Sequence, residues 1–298
     1  MTPITLQHER ERIRLGDEIK NLRRSKHITG IVLAEKTKIS QSKLSKIETG
    51  ALIPSTDDLR AILRYFKASR SDTSRLIEWA RELRTEFVSW RFKHKKGLAT
   101  SQIEVADLEK QAKHIRILNM ATIPGLLQIP DYARRVLELA NVTRQQDLEN
   151  AVAARIQRQQ ILYETDRQFE FVITEGAALS RFCDPQVVTQ QLDRIRFLFG
   201  LSNVKIGFLS NRCSLPRVPL NSFVIYDSQS VVVETLTGEI VTTDQADIAL
   251  YNEAFEDLAS RAVFGPDADR VLDEWKSLLI ACATTSLAVP LHEPSTCS

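Results

Sequence analysis

At 298 residues, 43% hydrophobic and 26% charged, the chain has an ordinary globular composition and length enough for two domains. The net charge of +2 conceals a division: residues 1–96 carry 22 Lys+Arg against 12 Asp+Glu, a net of +10, and the remainder carries 18 against 26, a net of −8. A basic front on an acidic back suggests a polyanion-binding module joined to something else. The absence of a secretory-type start or of about 18 consecutive apolar residues predicts a cytoplasmic protein without a membrane partner.

Leu15, Ile19 and Leu22 form one apolar stripe on a first helix over 13–26, with Arg14, Lys20, Arg23 and Arg24 on its other face. A short second helix over 30–37 turns Leu33 and Ala34 inward, Ala34 being small enough for a close helix crossing. Ile39 packs from the turn, and Ser40 is suited to cap a third helix, on which Leu44 and Ile47 face the core. Gln41, Ser42, Ser45 and Lys46 are left outside. Gln pairs bidentately with adenine, Lys reaches guanine acceptors and Ser serves either, so these four are the candidate base readers. Lys43, and Ser40 at the helix N-terminus, are suited to phosphate. Gly50 ends the helix, Pro54 stiffens the exit, and Ser55 caps a helix bearing Leu59, Ile62, Leu63 and Phe66.

The string LAEKTKISQSKLSKIETGALIP resembles the phage-repressor-like helix-turn-helix of the Cro and xenobiotic-response-element regulators, over about residues 13–70. The resemblance implies base reading by Gln41, Ser42 and Lys46 and backbone contacts by Arg23 and Thr29. It departs from that pattern at Gly30, where the family often has Gln, and at Lys38, where it often has Gly.

From Ser71 to Gln111 the pattern is helical, with Leu76, Trp79, Ala80, Leu83, Phe87 and Trp90 on one stripe and a linker at 97–101. Further helices are predicted over 105–118, from Pro130-Asp131, over 149–163 and from Asp184-Pro185. Strands are predicted over 169–174, 204–209, 223–227 and 230–236, with a turn at Asp227-Ser228-Gln229 and a sheet extension over 236–242. A long helix over 243–264 stops at Gly265-Pro266 before a last helix and a frayed tail. The predicted organisation is a helix-turn-helix domain (1–70), a helical connection and linker (71–104), an α+β regulatory or partner-binding domain (105–283) and a flexible tail (284–298). The fold class is thus a mainly α, repressor-like five-helix domain plus an α+β domain with a small antiparallel or mixed sheet.

PGLLQIPDYAR, with RIQRQQIL and FEFVITEGAAL, resembles the C-terminal domain of actinobacterial WhiJ/Scr-type regulators, called toxin–antitoxin-like, over about residues 105–275. That resemblance implies a small acidic partner protein. TEGAAL departs from the family's Asp-Glu-x-Ala-Leu at Thr174 and Gly176.

The chain has no HExxH, GxSxG, Walker or GxGxxG pattern, and Cys183, Cys213, Cys282 and Cys297 lack metal or CxxC spacing. His114 with Glu109 and Glu175 is the one loose acid–base set, and it meets no geometric requirement of a catalytic site. The expectation is a non-enzyme with no cofactor and no metal. Arg155, Arg158, Gln159 and Glu175 are the candidate effector or partner contacts. Together these features predict a homodimeric, sequence-specific transcriptional regulator, a repressor by resemblance, bound to a double-stranded operator. The alternatives are an antitoxin-like adaptor for the acidic partner and a small-molecule-responsive repressor.

Overall fold

The computed structural model describes residues 3–286; the tail expected over 284–298 falls, beyond Ser286, outside the described residues. The first elements are α1 (Pro3–Ser25), α2 (Gly30–Thr37), α3 (Gln41–Glu48), α4 (Thr56–Tyr65), α5 (Arg70–Glu82), β1 (Thr85–Ser89) and α6 (Trp90–Lys93). Then come α7 (Leu98–Gln111), β2 (His114–Asn119), α8 (Pro130–Leu139), α9 (Leu148–Arg158), β3 (Gln168–Thr174), α10 (Glu175–Ala178) and α11 (Pro185–Leu198). The chain closes with β4 (Val204–Leu209), β5 (Phe223–Tyr226), β6 (Ser230–Glu234), β7 (Gly238–Thr242), α12 (Gln245–Ala259) and α13 (Pro266–Ser286). Among the described residues no helix is long and apolar enough to cross a membrane.

Two compact units result, and the smaller is assembled from two separate stretches of sequence, Met1–Phe92 and Thr235–Asp247. Its core is the expected one: Leu15, Ile19, Leu33, Ala34, Ile39, Leu44, Ile47, Leu59, Ile62 and Leu63, extended by Leu76, Ala80 and Leu83 of α5. The helical stripe predicted through Trp90 stops short, because residues 85–89 form a strand. Thr85 to Ser89 pair antiparallel with Thr242 to Gly238, a ladder whose partner lies about 150 residues away. The sequence TEFVS suits a strand once such a partner exists, and the ladder overrides the helical spacing of Phe87 and Trp90.

The larger unit comprises Lys93–Glu234 and Ile248–Ser298. Its mixed sheet runs β6-β5-β2-β3-β4, with β2, β3 and β4 parallel and β5 and β6 antiparallel. The parallel pairs need crossovers, which α8–α9 and α11 supply. One face buries Ile115, Ile117, Phe169, Phe171, Ile206 and Phe208 against α11 and α13, including Leu192, Ile195, Leu272 and Trp275.

Two expectations are corrected here. The helix predicted over 105–118 ends at Gln111, and His114–Asn119 is the central strand β2, whose Ile115 and Ile117 alternate with Arg116 and pair with Phe169 and Phe171. Residues 98–101 begin α7, and the expected linker is tied down. Gly97 turns the chain at φ +97°, and the Asp147 carboxylate accepts the Leu98 and Ala99 amides at 3.1 and 2.9 Å. A carboxylate 48 residues away thus satisfies amides that a helix start otherwise leaves open.

Candidate nucleic-acid interface

Local capping builds the helix pair. Thr29 accepts the Val32 amide at 3.3 Å and Ser40 accepts the Lys43 amide at 3.3 Å, fixing the starts of α2 and α3. Between them Lys38 sits in the left-handed region at φ 59°, where the related pattern often has glycine. A β-carbon there costs on the order of 1 kcal/mol, which the buried Ala34, Ile39 and Leu44 around the turn offset.

The inner side of α3 is gripped from three directions. Leu44 and Ile47 are buried in the core. Gly16 of α1 lies against α3 backbone, so closely that a β-carbon would stand 2.6 Å from the Ile47 carbonyl oxygen and 2.9 Å from the Gly50 nitrogen. Gly50, at φ +72°, fits reciprocally against the Ile13 backbone. Arg12 then donates to the carbonyls of Gly50 and Ala51, each at 3.1 Å. Arg23 makes a bidentate pair with Glu48 at 2.6 and 2.8 Å and donates to the Ile28 carbonyl at 2.9 Å.

From the far side, Lys43 Nζ lies 2.8 Å from the Asp58 carboxylate, which also accepts the Ser55 amide at 2.9 Å in the capping box of α4. Burial raises the Asp58 pKa, but the hydrogen bonds from Lys43 and Ser55 prevail and hold it below the usual carboxylate value. The outer side of α3 is what remains: Gln41, Ser42, Ser45 and Lys46 are all exposed.

The predicted site residues therefore divide. The four base-reading candidates share one open face. Thr29 and Ser40 are exposed at helix starts. Arg23 has all three guanidinium nitrogens committed to Glu48 and Ile28, so a phosphate would have to compete with that pairing. Lys43 meets the same competition from Asp58. Gly16, Arg12 and Glu48 were not singled out from the sequence. The one available signal was an acid, Glu48, beside a core position of an otherwise basic helix.

In the larger unit Arg155, Arg158 and Gln159 converge on the string PGLLQ. Residues 123–128 are largely buried, so their backbone groups need partners from within the protein. Gln159 donates to the Gly125 and Gln128 carbonyls at 3.1 and 2.6 Å, and Gln191 donates to the Leu127 carbonyl at 2.8 Å. Arg155 donates to the side chains of Gln102 and Gln128 at 3.1 and 2.8 Å. The Arg158 guanidinium lies over the α-carbon of Gly125 and 3.3 Å from Glu109. Burial pulls the Arg155 pKa down to about 9 and pushes Glu109 up to about 7, against the pull of Arg158 and Arg155 on the carboxylate.

Glu175 is engaged elsewhere, accepting from Ser210 Oγ and the Asn211 amide at 2.9 Å each. His114 faces Glu170 at 3.3 Å, so His114, Glu109 and Glu175 have separate partners. A cleft of about 770 Å³ follows the edge strand β4, lined by Glu170, Phe199, Ile206, Glu256 and Phe264 among others; none of the four effector candidates lines it.

Residues 102–274 match a family described as a domain of unknown function (DUF5753), and residues 14–76 match a helix-turn-helix domain. No curated protein matches the chain. Among solved structures it is similar to a phospholipase D family member, Nuc from Salmonella typhimurium, at 13% identity over 55% of this chain and 90% of that one, with a TM-score of 0.33. It is also similar to NucT from Helicobacter pylori, at 10% identity over 60% and 97% with a TM-score of 0.35. A third is TrmBL2, described as an archaeal chromatin protein with a novel mode of DNA binding, at 14% identity over 68% and 65% with a TM-score of 0.31. At such TM-scores these structures carry no argument about function.

Proposed function

The chain belongs to the family of the domain of unknown function DUF5753 and carries a helix-turn-helix domain; from that premise we propose that it is a DNA-binding transcriptional regulator. One observation carries the reading: Gln41, Ser42, Ser45 and Lys46 stand together in solvent on a helix whose opposite side is locked to α1 and α4. A rigid helix with outward amide, hydroxyl and ammonium groups matches the donor and acceptor edges of a major groove.

In this reading the regulator is of the Cro and xenobiotic-response-element type, a homodimer acting as a repressor in the cytoplasm, its half-sites about 34 Å apart. Thr29, Ser40 and the amides at the start of α3 meet phosphate. Lys43 does so by leaving Asp58, and Arg23 supports the helix through Glu48. The larger unit converts an input, a small acidic partner protein or an effector molecule, into altered DNA affinity and performs no catalysis.

The test is selection of preferred duplexes from a random-sequence library, followed by titration of variants. Gln41→Ala is expected to cost about 1–3 kcal/mol on the selected duplex and to relax preference at one base pair. Lys43→Ala is expected to weaken all duplexes alike and to reduce the salt slope by about one. A parent protein that selects no sequence, or a Gln41→Ala variant with unchanged preference, overturns the placement of α3.

A further inference from the structure

The smaller unit is not built from the N-terminal sequence alone. Thr235–Asp247 departs from the larger unit after β6, folds onto the helix-turn-helix unit, and returns to the larger unit within α12. Its attachment is dense. Beyond the five-pair ladder between β1 and β7, Trp90 donates its indole N–H to the Thr235 carbonyl at 2.9 Å and its amide to Thr237 at 3.0 Å. Gly238 passes so close to β1 that a β-carbon would stand 2.4 Å from the Val88 carbonyl oxygen.

At the far end of this segment lies an ion pair. Asp244 is 3.3 Å from the Arg84 guanidinium, and the two side chains are 7% and 10% exposed. The same guanidinium donates to the carbonyl of Pro54, while the Arg84 carbonyl accepts the Thr243 amide at 3.0 Å. Pro54 occupies the connection between α3 and α4, immediately before Ser55 and the capping box whose Asp58 holds Lys43 of α3. One line of contacts therefore runs from Asp244 through Arg84 to Pro54, and through the adjoining Ser55 to Asp58 at the start of α4, in the connection that leaves the helix assigned to base reading.

We infer that Arg84 is a positioning residue for DNA recognition, and that Asp244 sets its position from a segment covalently continuous at both ends with the larger unit. Asp244 has a second task that makes this a route for regulation: its carboxylate accepts the Ala246 amide at 2.9 Å at the start of α12. A change in α12 is thus felt at Asp244, passes to Arg84, and alters the hold on the loop that follows the recognition helix. This inference rests on the proposal that α3 reads DNA.

Asp244→Asn tests the link, because the asparagine Oδ1 still accepts the Ala246 amide while an uncharged amide nitrogen that cannot accept replaces the carboxylate oxygen facing Arg84. Full-length Asp244→Asn, Arg84→Gln and Arg84→Lys are titrated against the duplex that the parent selects from a random library and against an unrelated duplex. Amide exchange at Thr56 to Leu59 is followed alongside. Asp244→Asn and Arg84→Gln are expected to lose about tenfold in affinity for the selected duplex, about 1.4 kcal/mol. Affinity for the unrelated duplex stays within about twofold, since phosphate contacts carry it. Exchange at Thr56 to Leu59 accelerates, and Arg84→Lys recovers part of the loss. If Gln41→Ala loses site preference while Asp244→Asn keeps full affinity and parental exchange, the relay is overturned and the DNA reading stands. If the parent selects no duplex, both fall together.

Discussion

Gly16→Ala sets two effects of opposite sign against each other. In an exposed helix interior the change stabilises by about 1 kcal/mol, because alanine loses less backbone freedom on folding. At Gly16 the new β-carbon would stand 2.6 Å from the Ile47 carbonyl oxygen, 2.9 Å from the Gly50 nitrogen and 3.0 Å from the Glu48 carbonyl oxygen. All three are backbone atoms, so no side chain can swing aside, and α1 must part from the end of α3 by several tenths of an ångström. Overpacking of this kind costs about 1–3 kcal/mol. The strain falls where Arg12 holds Gly50 and Arg23 holds Glu48. The net expectation lies between no gain and destabilisation by about 2 kcal/mol, the overpacking term cancelling or exceeding the propensity gain. Gly30→Ala is the matched control: nothing lies within 4 Å of its added β-carbon, so a gain of a few tenths to about 1 kcal/mol is expected. Urea unfolding of parent and both variants, read by circular dichroism, decides. Stabilisation by Gly16→Ala to the extent seen for Gly30→Ala refutes the close approach of α1 to α3.

Lys38→Gly relieves the left-handed turn between α2 and α3. It is expected to raise stability by up to about 1 kcal/mol, seen as a higher denaturant midpoint without change in slope; an unchanged or lower midpoint counts against the strain. Glu109, with its pKa raised by burial to about 7, favours the folded state most when protonated. Its contribution is full below the unfolded value near 4.5 and is lost as pH rises through about 7, a difference of roughly 3 kcal/mol. Glu109→Gln should flatten the stability profile between about pH 4.5 and 7, and an unaltered profile would remove Glu109 as its cause.

Much of the smaller unit was legible because its signals are local. The caps at Ser40 and Ser55, the inward Leu33, Leu44 and Ile47 and the outward Gln41, Ser42, Ser45 and Lys46 follow from helical spacing within about 30 residues. In the larger unit the Asp184-Pro185 helix start, the strand at Val204–Leu209 and the turn at Asp227 were legible for the same reason. The helix over-read through Trp90 and through Leu118 fails where a distant strand supplies hydrogen bonds that no local pattern announces. PGLLQ was conspicuous as a string, yet only the fold shows Gln159, Gln191 and Arg155 satisfying its buried loop.

By itself the sequence determined the division into a basic front and an acidic remainder, the helix-turn-helix and which side of its third helix faces out, since periodicity and capping act between near neighbours. Tertiary structure alone decided that Thr235–Asp247 completes the unit bearing that helix, that Gly16 is a point of backbone contact, and that Arg84 joins Asp244 to Pro54. Those facts depend on which distant segments come together. Strand pairing, close backbone approach and a buried ion pair are properties of two partners, and neither partner carries the other's identity in its own neighbourhood.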